Sequence, residues 1–127
     1  MLALGDIGDY DAVFCCHALE HVYPHQVPLA ISEFHRVLKP GGVLIVFVPD
    51  LEGIKATEDV LFVSPAGPIT GLDLIYGMRS LIKEAPQMAH KTGFTKETLR
   101  RELEQAGFSK VVVSRHELHN LSGVCVK

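Results

Sequence analysis

The sequence predicts an α/β fold, a parallel sheet whose final strand runs antiparallel. Three observations carry that prediction. Two short apolar runs, Asp11–Cys16 and Val43–Val48, flank an amphipathic stretch over 26–38. A capped helix is written over 95–107, and two further apolar runs, 111–113 and 121–126, close the chain. A strand, a crossover helix and a second strand make two parallel neighbours in one sheet. The two carboxyl ends, near Cys16-His17 and Pro49-Asp50, then share one edge. In open α/β sheets that edge is where ligands bind.

Each element has its own signature. Asp11 opens the first run, and Ala12-Val13-Phe14-Cys15-Cys16 continue it without alternation, as expected of a strand buried on both faces. Between Gln26 and Leu38, Val27, Ala30, Ile31, Phe34, Val37 and Leu38 repeat at helical spacing. Pro40 and Gly41-Gly42 are expected to end that helix, because proline cannot continue it and glycine accepts positive φ. Val43–Val48 is the second buried strand. Ser64-Pro65-Ala66-Gly67-Pro68 reads as a loop. Leu72, Ile75, Met78, Leu81 and Ile82 predict one short helix over 72–83, ended by Pro86. Residues 51–87 therefore read as an insert after the carboxyl end of a central strand, either a lid over a site there or a peripheral packing helix.

Thr95 suits a helix N-cap, with Phe94 and Leu99 as its hydrophobic staple. Leu99, Leu103 and Ala106 supply the buried stripe, and Gly107 the stop. The link 115–120 is too short for a crossover helix, so the last two strands should be antiparallel. In the chain's own count the expected strand order is first, second, fourth, third.

Composition sets outer limits. The 127 residues are 47% hydrophobic and carry a net charge of −3. One domain is expected. The negative balance offers no reason to expect nucleic-acid binding, which rests on neutralising phosphates. The longest apolar run falls far short of the ~20 residues of a membrane span. Three cysteines, two of them adjacent, fit free thiols in a reducing, cytoplasmic setting. A small-molecule partner is the expectation that remains.

The order of motifs resembles the class I S-adenosylmethionine-dependent methyltransferases of the type 11-like group. Tyr10-Asp11-Ala12-Val13 is similar to the start of that family's fourth strand, and His17-Ala18-Leu19-Glu20-His21-Val22 to the segment after it. Arg36-Val37-Leu38-Lys39-Pro40-Gly41-Gly42 is similar to the lead into the fifth strand. Gly93-Phe94-Thr95, Leu99 and Ala106-Gly107-Phe108 are similar to the late helix and sixth strand. The resemblance implies a Rossmann-like sheet of seven strands, of which these residues hold the last four, so the domain reads as a truncated one. It implies S-adenosylmethionine contacts at Cys15, Cys16, His17, His21 and Val22.

The family's glycine-rich cofactor loop has no match here. Gly5 and Gly8 are the only glycines before the first strand, and no GxG occurs anywhere. Cofactor binding by these residues alone is expected to be weak. Two functions follow: a methyltransferase acting on a small molecule, or a non-catalytic dimerisation or binding module derived from one. A truncated sheet would leave the strand over 11–16 as an open edge, so a homodimer paired through it is expected.

Candidate chemistry is sparse. His17 and His90 are the candidates for a catalytic role near the substrate. Cys15 and Cys16 lack a His-Asp partner pattern and read as small hydrophobes. His17, His21 and His25 fall at i, i+4 and i+8, a spacing that raises a metal site, but Pro24 interrupts any helix carrying all three. No metal site is expected from that spacing. His116 and His119 read as solvated turn residues.

Overall fold

A computed structural model of the chain describes residues 3–127. Its main sheet has four strands, β1 (Tyr10–Cys16), β2 (Leu38–Pro49), β5 (Ser109–His116) and β6 (Asn120–Val126), in the order β1-β2-β6-β5. β1 and β2 are parallel and joined through helix α1 (Val27–Val37); β6 is antiparallel to both β2 and β5. The order and directions are those expected from the sequence.

One face of the sheet carries the core. Leu44, Val46 and Val48 of β2 and Leu121 and Cys125 of β6 are fully buried there. They pack with Ile31 and Phe34 of α1 and with Leu99 and Leu103 of helix α4 (Lys96–Gln105). The helices deliver these side chains because their apolar positions recur every three to four residues. α4 begins as expected: the Thr98 N–H donates to the Thr95 hydroxyl at 3.2 Å, and Gly107 ends the helix at φ +97°.

The opposite face departs from expectation. Phe14, Ile45, Val124 and Val112 form one row across the four strands. Of these, Phe14 is 65%, Val112 57% and Val124 39% exposed. The continuous apolar run 11–16 is therefore not buried on both faces. Its side chains alternate: Cys15 is buried in the core and Val13, half-buried, packs against it. β1 is an edge strand, and no helix among the described residues lies over Phe14.

The helix before β2 also ends differently. Leu38 is already extended (φ −79°, ψ 144°), and residues 39–42 bulge out of the ladder between the Tyr10–Leu38 and Ala12–Val43 pairs. Pro40 explains the early stop, since it drives Lys39 away from helical backbone. Lys127 closes the bulge, accepting from the Gly41 N–H and donating its own N–H to the Gly42 carbonyl, each at 2.9 Å.

The insert holds structure that the sequence reading passed over. Strands β3 (Val60–Ser64) and β4 (Gly67–Thr70) make a hairpin where a loop was expected. Pro65 and Ala66 are its two-residue turn. The Ser64 hydroxyl fixes it, donating to the Gly67 carbonyl at 2.9 Å and accepting from the Ala66 N–H at 3.2 Å. The single helix expected over 72–83 is two, α2 (Gly71–Tyr76) and α3 (Arg79–Ile82). Gly77, at φ +95°, breaks them apart and returns its N–H to the Asp73 carbonyl at 2.8 Å. No helix among the described residues is long and apolar enough to cross a membrane.

Candidate active site

A cavity of about 450 Å³ opens at the carboxyl edge of the sheet. Its floor is His17, just past β1, with Pro49 at the end of β2 and Asn120 at the start of β6. The opposite wall is apolar and comes from the insert: Phe62 and Ile69 of the hairpin, Leu74 of α2, then Met78 and Met88. Residues 51–87 therefore stand over the edge that the topology marks for ligands.

His17 is held in an unusual backbone state. Its φ is +50°, a left-handed value uncommon outside glycine, while its N–H continues the ladder to the Phe47 carbonyl at 2.9 Å. Strained positions of this kind cluster at functional sites. The turn that follows, Leu19–His21, drives Leu19 into the core and carries Glu20 with it; Glu20 is only 2% exposed. Backbone bonds to the Glu20 carbonyl from the N–H groups of Lys91 (2.8 Å) and Thr92 (3.4 Å) bring the 89–92 segment alongside.

Those bonds assemble a polar cluster in an otherwise apolar cavity. Nδ1 of His17 lies 3.4 Å from Oε1 of Glu20, and Nε2 of His21 lies 3.8 Å from the same oxygen. The rings of His21 and His90 meet edge to face at 5.0 Å. Burial holds the His90 imidazole below its ordinary pKa, although the Glu20 charge opposes that shift. A neutral imidazole that can accept a proton or a ligand is the result.

Not all expected site residues meet here. His17, His21 and His90 line the cavity; Cys15, Cys16 and Val22 do not. Cys15 points into the core, where burial, followed by the nearby Glu20 and Cys16 charges, raises its thiol to about 11. Cys16 is exposed, because alternate residues of a strand face opposite sides. His25 sits apart, stacked on Tyr23 at 6.0 Å. His116 is more than a solvated turn residue: it belongs to β5, and its Nε2 is 2.6 Å from the Ser122 hydroxyl. His119 stacks on Phe62 at 5.9 Å. Sequence reasoning undervalued Glu20. Its one signal was an acid placed between Leu19 and a histidine, directly after a buried strand.

The sheet order, the crossover helix and a cavity at the carboxyl edge define the α/β fold of methyltransferase structures. Comparisons with known proteins agree. Residues 1–46 match the family model described as a methyltransferase domain. A 36-residue stretch is 53% identical to the "Probable methyltransferase ltbC" of Aspergillus luteorubrus, covering 28% of this chain and 13% of that protein. Among solved structures, the chain is similar to the 1,6-didemethyltoxoflavin-N1-methyltransferase of Burkholderia thailandensis, bound to 1,6-didemethyltoxoflavin and S-adenosylhomocysteine. That likeness has a TM-score of 0.65 at 18% identity and covers 99% of this chain and 47% of that one. It is also similar to human N-acetylserotonin methyltransferase in complex with SAM, with a TM-score of 0.63 at 11% identity, covering 100% of this chain and 32% of that one. The chain spans less than half the length of each of these proteins. The methyltransferase-domain match thus covers residues 1–46, and the chain as a whole shares the fold of methyltransferase structures.

Proposed function

We propose that this chain carries the acceptor side of an S-adenosylmethionine-dependent methyltransferase that acts on a small molecule, with residues 51–87 as the lid. The observation that carries the reading is the cavity between the carboxyl edge and the insert, whose apolar wall suits a flat, weakly polar acceptor. Methyl transfer is a direct displacement at a sulfonium, so the protein's main task is alignment, with a general base where the acceptor must lose a proton. His17 and His90, which line the cavity, are the residues proposed for that second role. The donor would run along the 15–22 segment, past the end of β1.

We read the four strands as the last four of the family's seven; the strand order and the single antiparallel strand support this. Donor binding by these residues alone is weak on this reading. They contain no GxG, and each charge-assisted hydrogen bond the loop would supply is worth about 1.5–3 kcal/mol. Losing several removes most of a micromolar affinity, itself about −8 kcal/mol. Three free cysteines suit the cytoplasm. The edge of β1 is read as a self-pairing edge, giving a homodimer; a monomer at high concentration by light scattering would contradict it. Calorimetry with S-adenosylhomocysteine tests the donor claim. Heats that do not saturate below millimolar ligand are expected, and saturation in the micromolar range would overturn it.

A further inference from the structure

Glu20 presents an electrostatic problem that the methyl-transfer reading leaves unsolved. Its carboxylate is almost wholly buried, and its Oε2 has no hydrogen-bond partner. Burying an anion without compensation costs several kcal/mol. No lysine or arginine among the described residues pairs with it: the nearby Lys91 ammonium turns to the His21 carbonyl at 3.3 Å and lies over the Tyr23 ring. A positive group beside Glu20 would offset that cost and give Oε2 a partner.

The two neighbouring histidines are arranged to hold it. Nδ1 of His21 lies 3.3 Å from the Ala89 carbonyl, and Nδ1 of His90 lies 3.1 Å from the Leu74 carbonyl. A carbonyl can only accept, so both Nδ1 atoms carry hydrogen. In the neutral rings that leaves the lone pair on Nε2. A backbone carbonyl that fixes the far nitrogen is the usual outer support of a metal-binding histidine. One ligand atom from each of Glu20, His21 and His90 falls within 4.8 Å of the others. A tetrahedral ion with bonds of about 2.0–2.2 Å holds its donors about 3.3–3.6 Å apart. Small side-chain movements would close the set.

We propose that Glu20, His21 and His90 form a binding site for a divalent transition cation of the zinc class, with a coordination position open to the cavity. Two imidazoles and one carboxylate suit such an ion, and three protein ligands leave room for a fourth. His17, 3.4 Å from Glu20 at the cavity floor, can complete the shell or yield to an oxygen donor on a bound small molecule. Spacing alone pointed to His17, His21 and His25, a set that Pro24 disrupts. The gathered set instead joins residues about seventy positions apart in sequence, through the backbone bonds of Lys91 and Thr92 to Glu20. The inference does not depend on the methyl-transfer reading, because its test detects the ion itself.

The test uses the full chain, stripped with a chelator and titrated with Co²⁺ as the visible probe, then with Zn²⁺ in competition. One equivalent of Co²⁺ should bind with a low-symmetry d–d spectrum that Zn²⁺ abolishes. Glu20→Gln and His90→Gln should each weaken binding by at least about tenfold, and His25→Ala should leave it unchanged. Should a variant fail to fold, long-range ¹H–¹⁵N spectra of the wild-type histidines serve instead: Zn²⁺ should move the Nε2 signals of His21 and His90. Absence of a spectrum at millimolar Co²⁺, a spectrum that survives His90→Gln, or shifts confined to His25, His116 and His119 would each overturn the proposal.

Discussion

The two faces of the main sheet are made from the same strands yet live in different surroundings. On the covered face Leu44, Val46, Val48 and Leu121 are fully buried beneath α1 and α4. One residue along, Phe14, Val112 and Val124 stand open in a single row. An apolar run in sequence states what a strand can bury, and helices supplied from elsewhere decide what it does bury. A large open apolar face is uncommon on a monomer, and patches of this kind mark surfaces meant to be covered.

Mutations on the two faces should separate them sharply. Leu44→Ala is expected to cost about 2–5 kcal/mol, through lost burial and the cavity left behind. Val112→Thr, on the open row, should stay within about 0.5 kcal/mol. Urea melts of both variants measure this, and equal losses would mean that the open row is covered in solution.

The insert offers a finer contrast, since a polar cap holds it where the sheet relies on apolar packing. Burial opposes the Asp73 carboxylate, but hydrogen bonds from Thr70 and Arg79 outweigh it and hold its pKa below the usual carboxylate value. A depressed folded value means that its stabilisation is complete above the unfolded pKa, near 3.9, and is lost as pH falls through the folded one. Asp73→Asn should thus cost about 1 kcal/mol near neutral pH, with the gap to wild type closing in acid. Melts at pH 7 and pH 3 report it. A gap that widens in acid would reverse the sign assigned to this group.

The smallest expected change is in stability on placing a charge at the edge of the open face. Phe14→Lys should leave the melting curve nearly unmoved while reducing self-association measured by light scattering. Unchanged association would place any dimer contact away from β1.

The sequence was most legible where one local rule decided the outcome. The α1 stripe, the Thr95 cap and the Gly107 stop needed only helical spacing and capping chemistry. The hairpin was legible in principle: Val60-Leu61-Phe62-Val63 is a β-rich run, and Ser64 to Gly67 is a turn with its own hydroxyl clamp. Weight on the proline and glycine hid the strands beside them. The break at Gly77 was masked because Leu72, Ile75, Met78, Leu81 and Ile82 keep helical spacing across it. The Glu20–His21–His90 cluster was not legible, because its closure depends on bonds between segments about seventy residues apart.

The central claim is that ligands meet this chain at the carboxyl edge of β1, weakly for the donor. Titrating the ¹⁵N-labelled chain with S-adenosylhomocysteine tests it residue by residue. The account predicts amide shifts clustered over 15–22 that rise without saturating until millimolar ligand. Shifts centred on the open face, or saturation in the low micromolar range, would contradict it.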